Sequence, residues 1–361
     1  MIFVLCFDMR SAARSKSLAL GCLVALLLAG CSESTPPEEP LDGLEYVNPE
    51  SIGWSSATLD TAKQFAEQAG FAAVMAAYDG KVFFSWGHVS RNYYAHSIRK
   101  PFLSALYGIA VTRAEIDLAE TLEQLGIDDT PPVLTQAEKQ ATVRELLQAR
   151  SGVYHEAAAE DSSMVASRPV RGSHPHGTFY YYNNWDFNVA GTIFRQKLGE
   201  DIFRAFSEHI AVPTGMQDFS TANCTYQYEY AKSQHPAYSF RISARDMLRF
   251  GVLYQKGGLW LGRQVISRAW ITESTTSYSV LDSTNGIGYG YMWRTIPQGS
   301  ALAQQIGSSG YYHTGVGVHA VIVLPDLKIV IVERVDTDGP TWPDVGDAGL
   351  ELGMMIINAR L

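Results

Sequence analysis

A serine and a lysine separated by two residues precede an apolar segment of the chain. Ser97 and Lys100 come just before Phe102 to Val111, a run that predicts a helix with Ser97 at its start. On a helix this spacing places both side chains on one face, so the amine would lie near the hydroxyl. A lysine that is desolvated and close to other cations can lose its proton and activate a serine hydroxyl as a nucleophile. Taken alone, the pattern more often marks a surface serine followed by a solvated lysine.

Two further short motifs carry polar groups that such a serine would need. Tyr182-x-Asn184 lies at the start of a predicted helix, and its phenol could move a proton. Later in the chain, we expect His313-Thr314-Gly315 to open a strand. In isolation, Tyr182 is better explained as one of several packed tyrosines in a row.

In this order, the three motifs resemble the SxxK, YxN and KTG or HTG boxes of the serine β-lactamase and penicillin-binding-protein superfamily. The resemblance is to class C β-lactamases, low-molecular-weight DD-peptidases and related carboxylesterases. Thr142 to Val153 is similar to the family's T-[IV]-R-x-L-L-x-x-x-S-G-[LV] segment, and Ser243 to Met247 is similar to its S-A-R-D-L helix start. The resemblance extends over about residues 50 to 358 and implies an α/β fold of the β-lactamase/transpeptidase type.

The resemblance implies a catalytic role for each motif. Ser97 would be the nucleophile that is acylated, and Lys100 would take or relay its proton. Tyr182 would share the acid/base work, with a phenol pKa lowered by neighbouring cations. Asn184 would orient Lys100 and the substrate amide.

The last motif is implied to bind substrate and to complete the oxyanion hole. The backbone amides of Ser97 and Val316 would stabilise the negative charge that develops on the carbonyl oxygen. Thr314 belongs to the same substrate-binding box, and Gly315 would let substrate lie close to the strand because it has no side chain.

Two positions in this motif depart from the usual family pattern. His313 replaces lysine, and histidine is mostly neutral at pH 7, so recognition of a substrate carboxylate is weakened. Val316 replaces the usual serine or threonine and removes one polar contact. Three arginines that could compensate are Arg99, Arg171 and Arg245. These departures favour esters or amides without a carboxylate over β-lactams and D-Ala-D-Ala peptides.

Other kinds of function have little support in the sequence. The formal charge is −9 and no basic stripe is present, so we expect no nucleic-acid partner. His96, His155, His174 and His176 lack the spacing of metal ligands, so we expect no metal and no cofactor. A GxSxG nucleophile elbow is also missing, which argues against an α/β-hydrolase.

The first thirty residues have the order of a secretory signal. Three cations between residues 10 and 16 precede the apolar run Leu18 to Ala29, which is shorter than the roughly 20 residues that a membrane-spanning helix needs. Leu28-Ala29-Gly30-Cys31 resembles the bacterial lipobox, which implies lipidation of Cys31, and Ser32 after it implies sorting to the outer membrane. We therefore expect a lipid-anchored protein of the bacterial cell envelope, facing the periplasm.

Periodic patterns predict where the fold begins and ends. The predicted frame consists of a helix at Ser56 to Ala69, strands at Phe71 to Tyr78 and Val82 to Trp86, strands at Val316 to Leu324 and Lys328 to Val335, and a helix at Ala348 to Ala359. The helices expected between them are Glu115 to Leu125, Gln136 to Gln148 and Asp186 to Leu198.

These elements predict an antiparallel sheet flanked by N- and C-terminal helices, with a mostly helical insertion domain. The predicted organisation is a signal peptide at 1–30, a tether at 31–48, an α/β domain from 49–111 and 236–361, and a helical domain at 112–235.

The function expected from these residues is that of a serine hydrolase acting through an acyl-enzyme on an ester or amide, with a small molecule or a peptide as substrate. A β-lactamase or DD-peptidase is the first alternative. The second is a non-catalytic lipoprotein that binds peptidoglycan fragments.

Overall fold

The computed structural model describes residues 44–361, and its central element is a sheet of nine strands. The predicted signal peptide, Cys31 and most of the tether lie outside these residues. Along the chain the strands are Glu45–Tyr46 (β1), Ala73–Tyr78 (β2), Lys81–Gly87 (β3), Tyr93–Tyr94 (β4), Thr225–Glu229 (β5), Ser233–Ser239 (β6), Arg241–Ile242 (β7), Leu259–Trp260 (β8), Arg263–Gln264 (β9), Ser279–Asp282 (β10), Ile287–Tyr289 (β11), Arg294–Ile296 (β12), Gly310–Gly315 (β13), His319–Leu324 (β14) and Ile329–Arg334 (β15).

The large sheet joins both ends of the described chain. Its strands are ordered β1-β3-β2-β15-β14-β13-β12-β11-β10, and the neighbours are antiparallel except for β1 and β3. The pairing of β2 with β15 brings Ala76 opposite Ile331, so the N-terminal hairpin and the C-terminal hairpin form one surface. The remaining strands form three two-stranded ribbons, β4-β7, β5-β6 and β8-β9.

Helices cover the two faces of this sheet. They are Ser56–Ala69 (α1), Arg99–Thr112 (α2), Val143–Leu147 (α3), Ser162–Ser167 (α4), Asn184–Leu198 (α5), Ile202–Phe206 (α6), Val212–Thr214 (α7), Ala244–Gln255 (α8), Arg268–Ser274 (α9), Ala301–Ile306 (α10) and Ala348–Asn358 (α11). None of the helices in residues 44–361 is long and apolar enough to cross a membrane.

Alternating side chains of the strands build a separate core on each face. In β15, Ile331 belongs to the core beneath α1 and α11, whereas Val332 belongs to the larger core beneath α2 and α8. Successive residues of a strand point to opposite faces, and so a strand buried on both faces is mostly apolar, as residues 329–332 of β15 are. The α/β prediction of a sheet between flanking helices is confirmed.

Local sequence signals account for the elements at the N-terminal end. The side chain of Ser55 accepts a hydrogen bond from the amide of Thr58 at 3.2 Å, and Gly70 ends α1 with a φ of 90°. This is the helix that the apolar spacing predicts. Asp79 and Gly80 have φ angles of 50° and 87°, which a tight hairpin turn requires, and they join β2 to β3 as predicted.

Three predicted elements differ from the structure because tertiary contacts or caps interrupt them. Glu115 to Leu125 forms turns rather than a helix, and its backbone pairs with the chain near Thr142. Gln136 to Gln148 is broken, because Thr142 caps a new helix and forms a reciprocal capping box with Glu145. Residues 316–318 form a turn before β14 rather than the start of a strand.

The structure also contains strands that the sequence pattern did not predict. β5 and β6 form a hairpin at the end of the segment expected to be helical, and β10 to β12 extend the large sheet beyond β13. β5 is partly exposed and β10 to β12 are short, so their periodicity is weak, and the buried β6 contains Pro236, which argues against a strand.

Candidate active site

Ser97 and Lys100 lie side by side where the chain enters α2. Ser97 is in a single 3₁₀ turn, His96–Ile98, and Lys100 is in the first turn of α2. The Nζ atom of Lys100 is 2.9 Å from Oγ of Ser97. The structure therefore brings together the hydroxyl and amine that the spacing predicts.

The environment of Lys100 favours its neutral form. Its side chain is fully buried, with Nζ 4.8 Å from the ring centre of Tyr182 and 4.9 Å from that of Phe187. Burial lowers the pKa of Lys100 well below its usual value, and the charges of Arg99 and Arg294 lower it further. An amine of this kind can accept a proton.

Tyr182 is close to the same hydroxyl, just before the start of α5. Its phenol is close enough to the Ser97 hydroxyl for this neighbour to lower the phenol pKa, and Asn183 begins the helix by capping the amide of Asp186 at 2.8 Å. Burial raises the pKa of Tyr182, and this effect outweighs the opposing effects of Ser97 and the neighbouring arginines. The expectation of a lowered phenol pKa was wrong: desolvation of a phenolate costs more than the nearby cations restore.

Asn184 is the first residue of α5 and contacts the site through an arginine. Its Oδ1 accepts a hydrogen bond from Arg99 Nη2 at 3.4 Å, and its Nδ2 donates to the carbonyl of Ala159. Arg99 also donates to Asn188 Oδ1 at 2.9 Å. In the described part of the chain, Asn184 forms side-chain hydrogen bonds with Arg99 and Ala159 rather than with Lys100.

His313 and Gly315 face this group from β13. The ring of His313 is fully buried, with its centre 6.3 Å from that of Tyr182. Burial, together with the charge of Arg294, lowers the pKa of His313 well below its usual value, so the ring is neutral at pH 7. The segment His313-Thr314-Gly315 was expected at the start of a strand, but it forms the end of β13, whose last residue is Gly315.

The end of β13 presses against the turn that holds the serine. A Cβ atom at Gly315 would lie 2.8 Å from the carbonyl oxygen of Ala95, 2.9 Å from Cβ of His96 and 3.4 Å from the amide nitrogen of Ser97. Only a residue without a side chain permits this approach. This close approach of Gly315 places Val316, which is 44% exposed, next to the 3₁₀ turn that contains Ser97.

Thr314 differs from its neighbours in the motif. Side chains alternate along a strand, so Thr314 points to the opposite face from His313 and Gly315. Its side chain lines a cavity beneath α10 and α11. The structure thus separates Thr314 from the other residues that the motif predicts.

A chain of hydrogen bonds fixes the residue that precedes Ser97. Nε of the buried Arg334 donates to Nδ1 of His319 at 3.0 Å, so His319 carries its proton on Nε2. That nitrogen is 3.3 Å from Oγ1 of Thr337, whose hydroxyl is left to donate to Nε2 of His96 at 2.8 Å. His96 has a φ of 47°, and these contacts hold it in this unusual conformation.

Two of the arginines considered as substitutes for the family lysine have other partners. Arg171 forms an ion pair with Glu138 at 2.7 Å, and Arg245 forms one with Asp218 at 2.5 Å. They are therefore engaged outside the group formed by Ser97, Lys100 and Tyr182.

Arg294 is a cation near Lys100 that no sequence motif indicates. It begins β12, opposite Tyr289 of β11 and Tyr312 of β13, and the ring centre of Tyr289 is 6.0 Å from that of Tyr182. Its Nε atom is buried without a hydrogen-bond partner among residues 44–361. A single arginine in an unpredicted strand gives no sequence signal; only the pairing of β12 with β13 brings it to the site.

We expect Arg294→Met to move the pH dependence of hydrolysis. The charge of Arg294 lowers the pKa of Lys100, so its removal should shift the acid limb of kcat/KM to higher pH. Activity at pH 7 should fall several-fold, whereas activity above the new limb should recover. Arg294→Lys, which keeps the charge, is the control. If the acid limb of kcat/KM lay at the same pH in the wild type and in Arg294→Met, Arg294 could not be lowering the pKa of Lys100.

One group of possible metal ligands occurs in the described chain, away from these residues. Ligand atoms of Glu200, Glu208 and His209 lie within 4.8 Å of one another. They follow the C-terminal end of α5, whereas Tyr182 and Asn184 are at its N-terminal end. A helix of 15 residues separates these ends by about 20 Å.

Comparison with known families shows which family has this geometry. A family model described as Beta-lactamase matches residues 60–352, well over half of the chain. The chain belongs to the beta-lactamase family. The serine-type members of this family are hydrolases that act through an acyl-enzyme. This protein is a serine hydrolase of that kind.

Solved structures of other proteins share the beta-lactamase fold of the chain. One described as a 6-aminohexanoate-dimer hydrolase from Bacillus anthracis has 16% identity and a TM-score of 0.62, over 87% of this chain and 86% of that one. A class C beta-lactamase has 15% identity and a TM-score of 0.62, with 84% of this chain and 95% of that chain covered. D-alanine carboxypeptidase AmpC from Burkholderia cenocepacia has 16% identity and a TM-score of 0.60, over 84% and 99%.

These likenesses establish the fold of this beta-lactamase family member and not its substrate. The three proteins carry names of different hydrolases, and their sequence identities to this chain are similar. No match was found among curated proteins.

Proposed function

We propose that this beta-lactamase family member hydrolyses an ester or an amide through an acyl-enzyme formed on Ser97. The observation that supports the proposal most strongly is the 2.9 Å contact between Oγ of Ser97 and Nζ of a fully buried Lys100. Tyr182 adds a protonated phenol at the same hydroxyl. A protein that only binds a ligand has no physical need for Ser97, Lys100 and Tyr182 together.

In the first step, the neutral amine of Lys100 takes the proton from Ser97 as Oγ attacks the carbonyl carbon of the substrate. The carbonyl oxygen becomes negatively charged and accepts hydrogen bonds from the backbone amides of Ser97 and Val316. Gly315 makes this possible because its close contact keeps the two backbone segments adjacent. Each such amide is worth about 10² to 10³ in rate.

In the second step, Tyr182 gives its proton to the leaving group, and the Lys100 ammonium returns a proton to the phenol. The raised pKa of Tyr182 suits this role, because the phenol still holds its proton at neutral pH. Water then attacks the acyl-enzyme carbonyl carbon, its proton passes to the Tyr182–Lys100 pair, and Ser97 regains a proton as it leaves.

The proposed substrate is an ester or a small or linear amide rather than a β-lactam or a D-Ala-D-Ala peptide. The neutral ring of His313 stands where the family usually has a charged lysine, and Val316 offers no side-chain hydroxyl. Both changes weaken contacts to a substrate carboxylate.

A side-by-side assay of the purified mature protein tests this choice. We expect p-nitrophenyl butyrate to be turned over with a higher kcat/KM than either nitrocefin or a D-Ala-D-Ala peptide. Faster turnover of nitrocefin would make the protein a β-lactamase, and release of D-alanine from the peptide at the higher rate would make it a DD-peptidase.

We also propose that the enzyme is a lipoprotein of the bacterial cell envelope, anchored through Cys31. The charge, apolar run and Leu-Ala-Gly-Cys sequence support this location. Replacing Cys31 by alanine should release the protein from the membrane fraction. The expected mature wild-type protein carries a diacylglycerol on its N-terminal cysteine, which mass spectrometry detects. An unmodified residue at position 31 in membrane-derived protein would contradict the proposal.

A further inference from the structure

A cavity of about 220 Å³ lies on the face of the sheet opposite Ser97, beneath α10 and α11. Its walls are mostly aliphatic and include Ile296, Leu302, Ile306 and Ile322. We call it the α10–α11 cavity. Because Thr314 and His313 point to opposite faces of β13, this space is separated from the catalytic group by the sheet itself.

The carboxyl group of Glu333 is a deeply buried polar group at this cavity, whose other polar lining residues are Asn285, Gln305, Tyr312 and Thr314. Glu333 is on β15, is 1% exposed and lines the α10–α11 cavity. Its Oε1 atom is buried without a hydrogen-bond partner among residues 44–361. Burial raises the pKa of Glu333 well above its usual value, which favours the protonated acid.

Helix α11 leaves room for this carboxyl group. Gly349 and Gly353 are one helical turn apart and both approach Glu333. A Cβ atom at Gly349 would lie 2.9 Å from Oε2 of Glu333, and one at Gly353 would lie 3.9 Å from Oε1. Any larger residue at position 349 would push the acid from its place.

An unpaired carboxyl group in apolar surroundings destabilises a folded protein unless something bonds to it. A protonated acid can donate one hydrogen bond and accept others. A single hydroxyl group satisfies both capacities, and an aliphatic chain attached to it would fill the apolar remainder of the cavity.

We propose that the α10–α11 cavity binds a neutral aliphatic alcohol, with its hydroxyl on the carboxyl group of Glu333 and its chain against the isoleucine walls. An alkylammonium ion fits less well, because the acid would have to ionise and two charges would be buried together. An alkyl carboxylate would place a second acid against the first.

Methyl NMR of isoleucine-labelled mature protein tests this with 1-hexanol as the probe. We expect 1-hexanol to shift the methyl signals of Ile296, Ile306 and Ile322 in a saturable way. The signal of Ile98 should stay in place, because this residue is next to Ser97 on the catalytic face. Shifts of Ile98 alone would mean that the alcohol binds at the catalytic serine, and the proposal would be overturned.

Two variants of Glu333 test the role of the acid. Glu333→Gln keeps a donor and an acceptor, so 1-hexanol affinity should change less than threefold. Glu333→Met removes both, and the affinity should fall about tenfold, as expected for loss of a buried hydrogen bond. Both variants should fold, since each removes a buried acid. Equal affinity of Glu333→Met and the wild type would exclude the proposed contact.

A third variant and a second probe complete the test. Ala320→Leu fills the α10–α11 cavity from β14 and should abolish the isoleucine shifts, while ester hydrolysis shows that the protein is folded. If Ala320→Leu is inactive, the 1-hexanol affinities of the two Glu333 variants still test whether the alcohol binds at Glu333. Hexylammonium should bind more weakly than 1-hexanol in the wild type at pH 7, and the reverse order would overturn the choice of a neutral ligand.

Discussion

Replacement of Ser97 by alanine should abolish both hydrolysis and labelling by a fluorophosphonate probe. The wild-type hydroxyl can be deprotonated by Lys100 at 2.9 Å, and no acyl-enzyme can form without it. We expect kcat/KM for p-nitrophenyl butyrate to fall by about 10⁴-fold or more. In-gel fluorescence and initial rates measure the two effects on the same preparation.

The matched control for this variant is Ser90→Ala. Ser90 is an exposed serine close in sequence to Ser97 and outside the catalytic group, so its replacement should change neither labelling nor rate. A wild-type protein that takes no label and hydrolyses none of the three substrates would support the non-catalytic binding protein instead. Label that persists in Ser97→Ala would point to a different nucleophile.

The reaction centre illustrates which features local sequence can predict. The approach of Tyr182 to Ser97 depends on tertiary packing. The position of Tyr182 just before the α5 cap does not, and neither does the contact between Ser97 and Lys100 where the chain enters α2. These are short-range relations, so the residue types and their separation determine them. For the same reason α1 and the hairpin at Asp79 agree with their predictions.

Features that depend on distant parts of the chain were not predictable in this way. Arg294 reaches the site because β12 pairs with β13, and the pKa of Tyr182 rises because surrounding elements exclude water. Glu115 to Leu125 has the apolar spacing of a helix, yet Leu122 donates its backbone hydrogen bond to Ala141 at 2.9 Å instead. In each case a tertiary contact outweighs the local preference.

Replacement of Lys100 by methionine should abolish most activity and stabilise the fold. The variant keeps the shape of the side chain but removes the base, so kcat/KM should fall by about 10³-fold. Stability should rise at neutral pH because a buried ionisable amine is replaced by an apolar group that fits the same space. Initial rates and urea unfolding measure the two effects.

The pH dependence of stability gives an independent measure of Lys100. Its pKa is lowered in the folded protein, so between that pKa and the ordinary value the unfolded chain binds more protons than the folded one. Wild-type stability should therefore rise with pH across this window, and the gain should be complete only above the unfolded pKa. In Lys100→Met, the free energy of unfolding should no longer show this rise with pH.

Lys100→Arg separates loss of the base from loss of the charge. A guanidinium cannot be deprotonated near neutral pH, so this variant should be as inactive as Lys100→Met. It should also be less stable than the wild type, because a permanent charge is now forced into a buried position beside Arg99. If Lys100→Met kept activity within about tenfold of the wild type, Lys100 could not be the base that activates Ser97.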